Sequence, residues 1–126
     1  MATILVIDDE ALLLGLICNT LRLAGYDVIA LSDPLIALDH QRKGQFPIDL
    51  ILTDIAMKPI SGFELVNRLT KAGFENPVLF MSGYPALSHV VENSFGRRSI
   101  LEKPFTAAQL RTAVRSNLTS CTVRVV

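Results

Sequence analysis

The chain has 126 residues, half of them hydrophobic, with twelve basic side chains against twelve acidic ones and a net charge of zero. That is one domain's length, with room for a single sizeable core and too much apolar content for disorder. The even charge argues against direct nucleic-acid binding, which calls for a basic excess.

Met1 leads straight into ATILVIDDE with no basic segment before an apolar run, so no secretory signal is expected. No apolar stretch approaches the roughly 20 residues of a membrane span, and a cytoplasmic protein is expected. Cys18 and Cys121 lie far apart with no CxxC or His pairing, which suggests neither a disulfide framework nor a zinc site. Cys18 reads as an inert core residue.

Thr3–Ile7 is a short, nearly continuous apolar run, the pattern of a strand buried on both faces. A helix is predicted from Glu10 to Ala24, with Leu14, Ile17, Cys18 and Leu21 at i, i+3, i+4 and i+7, and Gly25 placed to end it. DVIAL at 27–31 is the second strand. Asp33 and Pro34 then form an N-cap and first helical residue, opening a helix that runs to about Lys43 and stops at Gly44. Leu50–Thr53 is the third strand. Ser61 and Glu64 have the spacing of a capping box, in which each side chain covers the other residue's backbone N–H. The helix they open puts Gly62, Leu65, Val66 and Leu69 on one face and ends at Gly73.

PVLFM at 77–81 is the fourth strand, residues 86–95 are a weaker helix, and Ser99–Leu101 is a short fifth strand. Thr106 and Gln109 make a second capping box, opening a last helix through about Asn117. The tail SCTVRVV receives no assignment. Strands and helices that alternate at these lengths imply an α/β domain, a parallel sheet with helices on both faces.

Ligands bind such sheets at the carboxyl ends of the strands, near the point where strand order reverses. Asp8, Asp9 and Glu10 follow the first strand, Asp54 the third, Ser82-Gly83-Tyr84-Pro85 the fourth and Glu102-Lys103-Pro104-Phe105 the fifth. Asp8, Asp9 and Asp54 would crowd like charges unless a cation joined them, and Mg²⁺ prefers such hard oxygen donors. Lys103 adds an ammonium and Ser82 a hydroxyl. Around one carboxylate, those groups would stabilise a phosphoryl group moving onto it. Each residue taken alone has a plainer reading: Asp9 and Asp54 as turn formers, Ser82 as a backbone-bonding hydroxyl, Lys103 as a solvated loop charge. Jointly they are hard to obtain by chance.

The segments ILVIDDE, LILTDIAM, PVLFMSG and LEKPF resemble the signature segments of bacterial response regulator receiver domains, including the single-domain chemotaxis type. They fall in order across nearly the whole chain, with 45 residues from Asp9 to Asp54, 28 more to Ser82 and 21 more to Lys103. The resemblance implies a flavodoxin-like doubly wound (βα)5 fold with strand order 2-1-3-4-5. By position it makes Asp54 the phosphoryl acceptor, served by a histidine kinase or histidine phosphotransfer protein. It makes Asp8, Asp9, Asp54 and the backbone carbonyl of Ala56 the Mg²⁺ ligands, with Ser82 and Lys103 contacting the phosphoryl group and Glu10 standing just beyond. It also implies a cis bond at Lys103-Pro104.

Phosphorylation is expected to draw Ser82 inward and shift the face formed by residues 86–118 toward an unknown downstream protein. The chain is expected to promote only its own phosphorylation and dephosphorylation, and so not to be an enzyme for other substrates. Residues 1–119 are assigned to the receiver domain and 120–126 to a tail, with no separate output domain.

Departures from the family pattern stand beside the matches. Ile100 occupies the position of the family's aromatic switch residue. Met57-Lys58-Pro59 replaces the usual Met-Pro after the acceptor, so a different loop geometry is expected there. Ala56 and Tyr84 occupy the two positions that modulate phosphoryl lifetime, and Tyr84 is expected to shield the acyl phosphate in part. Arg97 and Arg98 lie near the readout face, where they either meet an acidic partner or stay solvated; His40 and His89 read as ordinary surface or half-buried residues.

Three rival readings remain. An aspartyl-phosphate phosphatase would carry a second Asp two positions after the first, where Ala56 stands. A flavin binder would need a phosphate loop after the first strand, where acids stand instead. A pseudo-receiver, acting as a phosphorylation-independent interaction module, is disfavoured by the intact set of acids, hydroxyl and lysine; excision from a hybrid histidine kinase is the other alternative, toward which SGYP is a hint.

Overall fold

The computed structural model describes residues 1–44 and 47–122, without the side chains at 43, 98 and 119–122. Expectations for the side chains of Arg98 and Cys121, and for tail residues 123–126, lie outside the described residues. In chain order the elements are β1 (Thr3–Ile7), α1 (Ala11–Leu23), β2 (Asp27–Leu31), α2 (Pro34–Lys43), β3 (Leu50–Asp54), α3 (Gly62–Lys71), β4 (Val78–Ser82), α4 (Pro85–Phe95), β5 (Ile100–Glu102) and α5 (Ala107–Thr122), with a 3-10 turn at Arg97–Ser99. The strands form one sheet in the order β2-β1-β3-β4-β5, and every neighbouring pair is parallel. This is the flavodoxin-like α/β fold expected from the sequence.

Alternation along each strand explains why the runs read as continuously apolar. Ile4, Val6, Leu50, Leu52, Leu79 and Met81 pack on one side with α1 and α5, through Ile17, Cys18, Leu21, Leu110 and Val114. Leu5, Ile7 and Ile51 face the other way, onto Ala37 of α2 and Leu65 and Leu69 of α3. Phe80 joins Ile55, Val66 and Val91 in a third cluster under α3 and α4. Both faces are covered, so both residue parities are hydrophobic.

The caps follow the sequence closely. Leu35 N–H donates to Asp33 Oδ1 at 2.9 Å, and Gly44 closes α2 with φ +61. Gly25 and Gly73 also take positive φ just past α1 and α3. Thr106 and Gln109 form the complete capping box, with bonds of 2.8 and 3.0 Å. The Ser61 box is half made: Ser61 Oγ accepts from Glu64 N–H at 3.2 Å, while the Glu64 carboxylate turns to Arg68 Nε at 3.1 Å.

Four elements differ from expectation in their bounds. β3 includes Asp54, which pairs with Met81, and β4 runs Val78–Ser82 rather than 77–81. Pro77 has no N–H to offer the ladder, so the strand starts one residue later and ends on the serine. β5 likewise runs 100–102, one residue later than read, and α5 continues past Asn117 to Thr122. Asp54 and Ser82 thus stand on the last residues of strands rather than in loops.

Two contacts outside the pattern lock the sheet. At its amino edge, Thr3 N–H donates to Asp49 Oδ2 at 2.7 Å and Asp49 N–H donates to Thr3 O at 2.9 Å, which pins β1 to β3. At the carboxyl edge, Gly62 N–H donates to Ile55 O at 2.8 Å. A methyl group at Gly62 would collide with the Asp54 carbonyl oxygen and lie 3.0 Å from Ile55 Cα. Gly15, inside α1, has nothing within 4 Å of such a methyl.

The two glycines therefore predict opposite outcomes. Gly62→Ala is expected to cost about 1–3 kcal/mol, since backbone must move, whereas Gly15→Ala is expected to gain about 0.5–1 kcal/mol from helix propensity. Urea midpoints of the two variants check this, and a Gly62→Ala midpoint equal to that of the unsubstituted chain would refute the close approach.

Candidate functional site

The strand order reverses between β1 and β3, and their carboxyl ends carry the acids. Asp8 is fully buried. Its Oδ1 accepts from Glu10 N–H at 2.9 Å, a turn that opens α1, and its Oδ2 lies 3.3 Å from Lys103 Nζ. Asp54 is also buried, and its Oδ1 lies 3.3 Å from the same ammonium. Lys103 reaches this position from the end of β5, with Lys103 N–H donating to Ser82 O at 2.8 Å. Its side chain keeps 20% exposure, so the site opens to solvent on that side.

Asp9 is exposed at the rim. Even so, Asp8, Asp9 and Asp54 each offer a carboxylate oxygen within 4.8 Å of the others. Ala56 is exposed, and its carbonyl takes no hydrogen bond among the described residues. Three acids against one ammonium leave two negative charges uncompensated. Hard oxygens, a two-charge deficit and an open side fit a small divalent cation such as Mg²⁺.

The electrostatics agree. Burial pushes the Asp54 carboxyl above its ordinary value; the Lys103 ammonium pulls it back, and the Asp8 carboxylate pushes it further up. For Lys103 burial acts to lower the value, but Asp8 and Asp54 together outweigh it and the net shift is upward. Lys103 is thus held as a fixed positive charge beside an acid that is costly to ionise without help.

Ser82 ends β4, one residue past Asp54's register partner Met81, and is buried. Its hydroxyl donates to Tyr84 O and accepts from Tyr84 N–H, both at 3.0 Å. Tyr84 caps α4 with its backbone, and its ring is exposed. The Tyr84 carbonyl also accepts from Leu87 N–H at 3.0 Å, Ser88 N–H at 3.1 Å and Ser88 Oγ at 3.3 Å. Ser82 is therefore turned into its own loop, on an acceptor that has other donors.

Neither the closeness of Gly62 to Asp54 nor the bond of Ser88 to the loop was legible in the sequence. Gly62's signal was its place in the loop after Asp54, masked by its equal fit to a helix face. Both Lys103-Pro104 and Lys58-Pro59 are cis, the second within the unusual Met57-Lys58-Pro59 segment. Lys58 and His89 are exposed and His40 is half-buried. Cys18 is buried, and burial raises its thiol.

The family model for the response regulator receiver domain matches residues 4–115. The chain is 34% identical over 110 residues to the DNA-binding transcriptional regulator NtrC of Rhizobium meliloti, covering 86% of this chain and 22% of that protein. It is 32% identical over 122 residues to the 3',5'-cyclic-nucleotide phosphodiesterase regA of Dictyostelium discoideum, covering 93% of this chain and 15% of that protein. The chain thus spans less than a quarter of either curated relative. A crystal structure of a response regulator receiver protein from Sinorhizobium medicae superposes with a TM-score of 0.80 at 38% identity, covering 94% of this chain and 95% of that one. Over nearly all its length, this chain belongs to the response regulator receiver domain family.

Proposed function

We propose that the chain is a phosphorylatable receiver of a two-component relay, with Asp54 as the acceptor. The observation that carries this reading is the position of Lys103 Nζ, 3.3 Å from both Asp8 and Asp54, at the mouth of a three-acid cluster. The donor is a histidine kinase or a histidine phosphotransfer protein, as family membership suggests. An Asp54 carboxylate oxygen attacks phosphorus in line, the new O–P bond forms, and the donor's N–P bond breaks with its electron pair returning to the imidazole. Asp8, Asp9, Asp54 and the Ala56 carbonyl would hold Mg²⁺, which when bound supplies positive charge to the phosphoryl oxygens. The chain works on its own carboxylate, acts on no other substrate, and functions in the cytoplasm; among the described residues no helix is long and apolar enough to cross a membrane.

Lys103 gives up part of its hold on Asp54 and takes a phosphoryl oxygen instead, at no loss of charge pairing. Ser82 exchanges the Tyr84 carbonyl for a second phosphoryl oxygen. That exchange is cheap, because Leu87 N–H, Ser88 N–H and Ser88 Oγ still satisfy the carbonyl it leaves. Tyr84 and Ser88 belong to the start of α4, so the exchange biases the position of that helix. The moving face, residues 86–118, meets the downstream protein.

Incubation with Mg²⁺ and acetyl phosphate is expected to add one phosphoryl mass, lost in Asp54→Asn and in EDTA; label that survives both would place the chemistry elsewhere. Ser82→Ala is expected to accept the phosphoryl group, yet to lose most of the amide shift changes that beryllofluoride induces across residues 85–95. Full-sized changes in that variant would remove Ser82 from the switch. Because burial and Asp8 both raise the Asp54 carboxyl, its ionised form weakens the fold at neutral pH, and this penalty fades as pH falls through the raised value. In EDTA at neutral pH, Asp54→Asn is therefore expected to unfold at a higher urea concentration than the unsubstituted chain. Millimolar Mg²⁺ should raise the midpoint of the unsubstituted chain alone; equal midpoints in EDTA would deny the charge crowding.

A further inference from the structure

The carbonyl of Tyr84 is offered more hydrogen bonds than it has places for. Four donors converge on it: Ser82 Oγ at 3.0 Å, Leu87 N–H at 3.0 Å, Ser88 N–H at 3.1 Å and Ser88 Oγ at 3.3 Å. A carbonyl oxygen has two lone pairs. The two amides belong to the first turn of α4 and keep their claim as long as that helix stands. The two hydroxyls therefore compete for what is left, and each weakens the other's bond.

Ser88 is an unexpected side chain for its place. It is buried, on a helix whose inward side also carries buried Val91 and half-buried Leu87. Packing alone would put an apolar residue there, since a buried hydroxyl must offset its own desolvation. Among the described residues its Oγ makes one bond, the one to Tyr84. A serine bonded back to the carbonyl four residues earlier is common in helices. The particular feature here is that the same carbonyl also holds Ser82, the hydroxyl that turns to a phosphoryl oxygen in the proposed relay.

We propose that Ser88 is a positioning residue, acting through Ser82 to set how readily the site takes a phosphoryl group. This rests on the roles proposed above for Asp54 and Ser82. At rest the Ser88 hydroxyl loosens Ser82's hold on the Tyr84 carbonyl. Once Ser82 leaves for the phosphoryl oxygen, Ser88 Oγ no longer shares the carbonyl with another hydroxyl, and its long 3.3 Å bond can shorten. Both effects have the same sign. The Ser88 hydroxyl favours the phosphorylated arrangement over the resting one.

Ser88→Ala keeps both backbone donors and removes only the competing hydroxyl. Alanine is also the better helix former, so the variant keeps its fold. Amide hydrogen exchange of the resting chain in EDTA reads the first effect, because Tyr84 N–H donates to Ser82 Oγ at 3.0 Å. Exchange at Tyr84 is expected to slow about two- to tenfold in Ser88→Ala, the worth of one hydrogen bond. Removing a serine that merely steadied α4 would speed it.

Titration with beryllofluoride and Mg²⁺, followed by the amide shifts of residues 53–57, reads the second effect. Ser88→Ala is expected to weaken binding about two- to tenfold, and to change nothing in a Ser82→Ala background. Unchanged or faster exchange at Tyr84 overturns the proposal. So does an affinity that Ser88→Ala leaves alone, or lowers equally with and without Ser82. An unsubstituted chain that binds no beryllofluoride is a different failure: it removes the relay itself, and this proposal with it.

Discussion

The ammonium of Lys103, shared between Asp8 and Asp54, is the contact on which the rest of the site depends. β5 lies at one edge of the sheet, with β4 and β3 between it and β1. One long side chain therefore ties three strand ends together. Asp8 has no exposure at all, and an unpaired carboxylate in that position would cost several kcal/mol. Lys103 and the Glu10 N–H offset that cost without making the arrangement more stable than well-packed apolar residues would be. A fold optimised for stability alone has no use for such a group. Its place at a solvent-open corner, with two negative charges left over, is what chemistry on a charged ligand requires.

The precision of that corner comes from the backbone behind it. Every residue of β3 is buried, so Asp54 rides on a strand packed from both sides. At the opposite edge the Thr3–Asp49 pair fixes where β1 and β3 begin, and so fixes where Asp8 and Asp54 arrive. Gly62 brings the start of α3 against the Asp54 carbonyl and holds the loop between them. Sites carried on strand ends are set more tightly than sites carried on loops, and here both Asp54 and Ser82 are the final residues of strands.

Most of the fold was legible because its signals are local. Apolar runs of five, an aspartate before a proline, glycines after helical periods and a Thr-x-x-Gln box each carry their own physics within a few residues. The site was legible as a list of residue types at the ends of strands. Partners far apart in sequence were not legible. Nothing near Asp49 shows that its carboxylate reaches Thr3, 46 residues away. Asp8 and Asp9 are equivalent on paper, yet one is fully buried on Lys103 and the other exposed, because only one follows β1 inward. The one-residue errors at β4 and β5 have a different cause: proline and serine fit either side of a boundary that hydrogen bonding, not composition, decides.

Ile100 changes how a signal can leave this site. It pairs with Phe80 in the β4–β5 register and packs against the cluster under α4. An aliphatic side chain has no ring to swing between an outer and an inner position. Phe80 itself is flanked by Phe63, 5.4 Å away, and by Phe95 of α4, 5.1 Å away, both rings tilted. Any shift of α4 must slide Phe95 over Phe80, and such an aromatic pair resists by about 0.5–1.5 kcal/mol. A hydrogen bond from Ser82 to a charged phosphoryl oxygen is worth about 1.5–3 kcal/mol. The loop contact therefore outweighs the aromatic one. In the proposed switch the route from Asp54 outward would run through the backbone of Tyr84, which holds Ser82 at one end and caps α4 at the other, and the Phe80–Phe95 pair would set how far the helix returns once the phosphoryl group is gone.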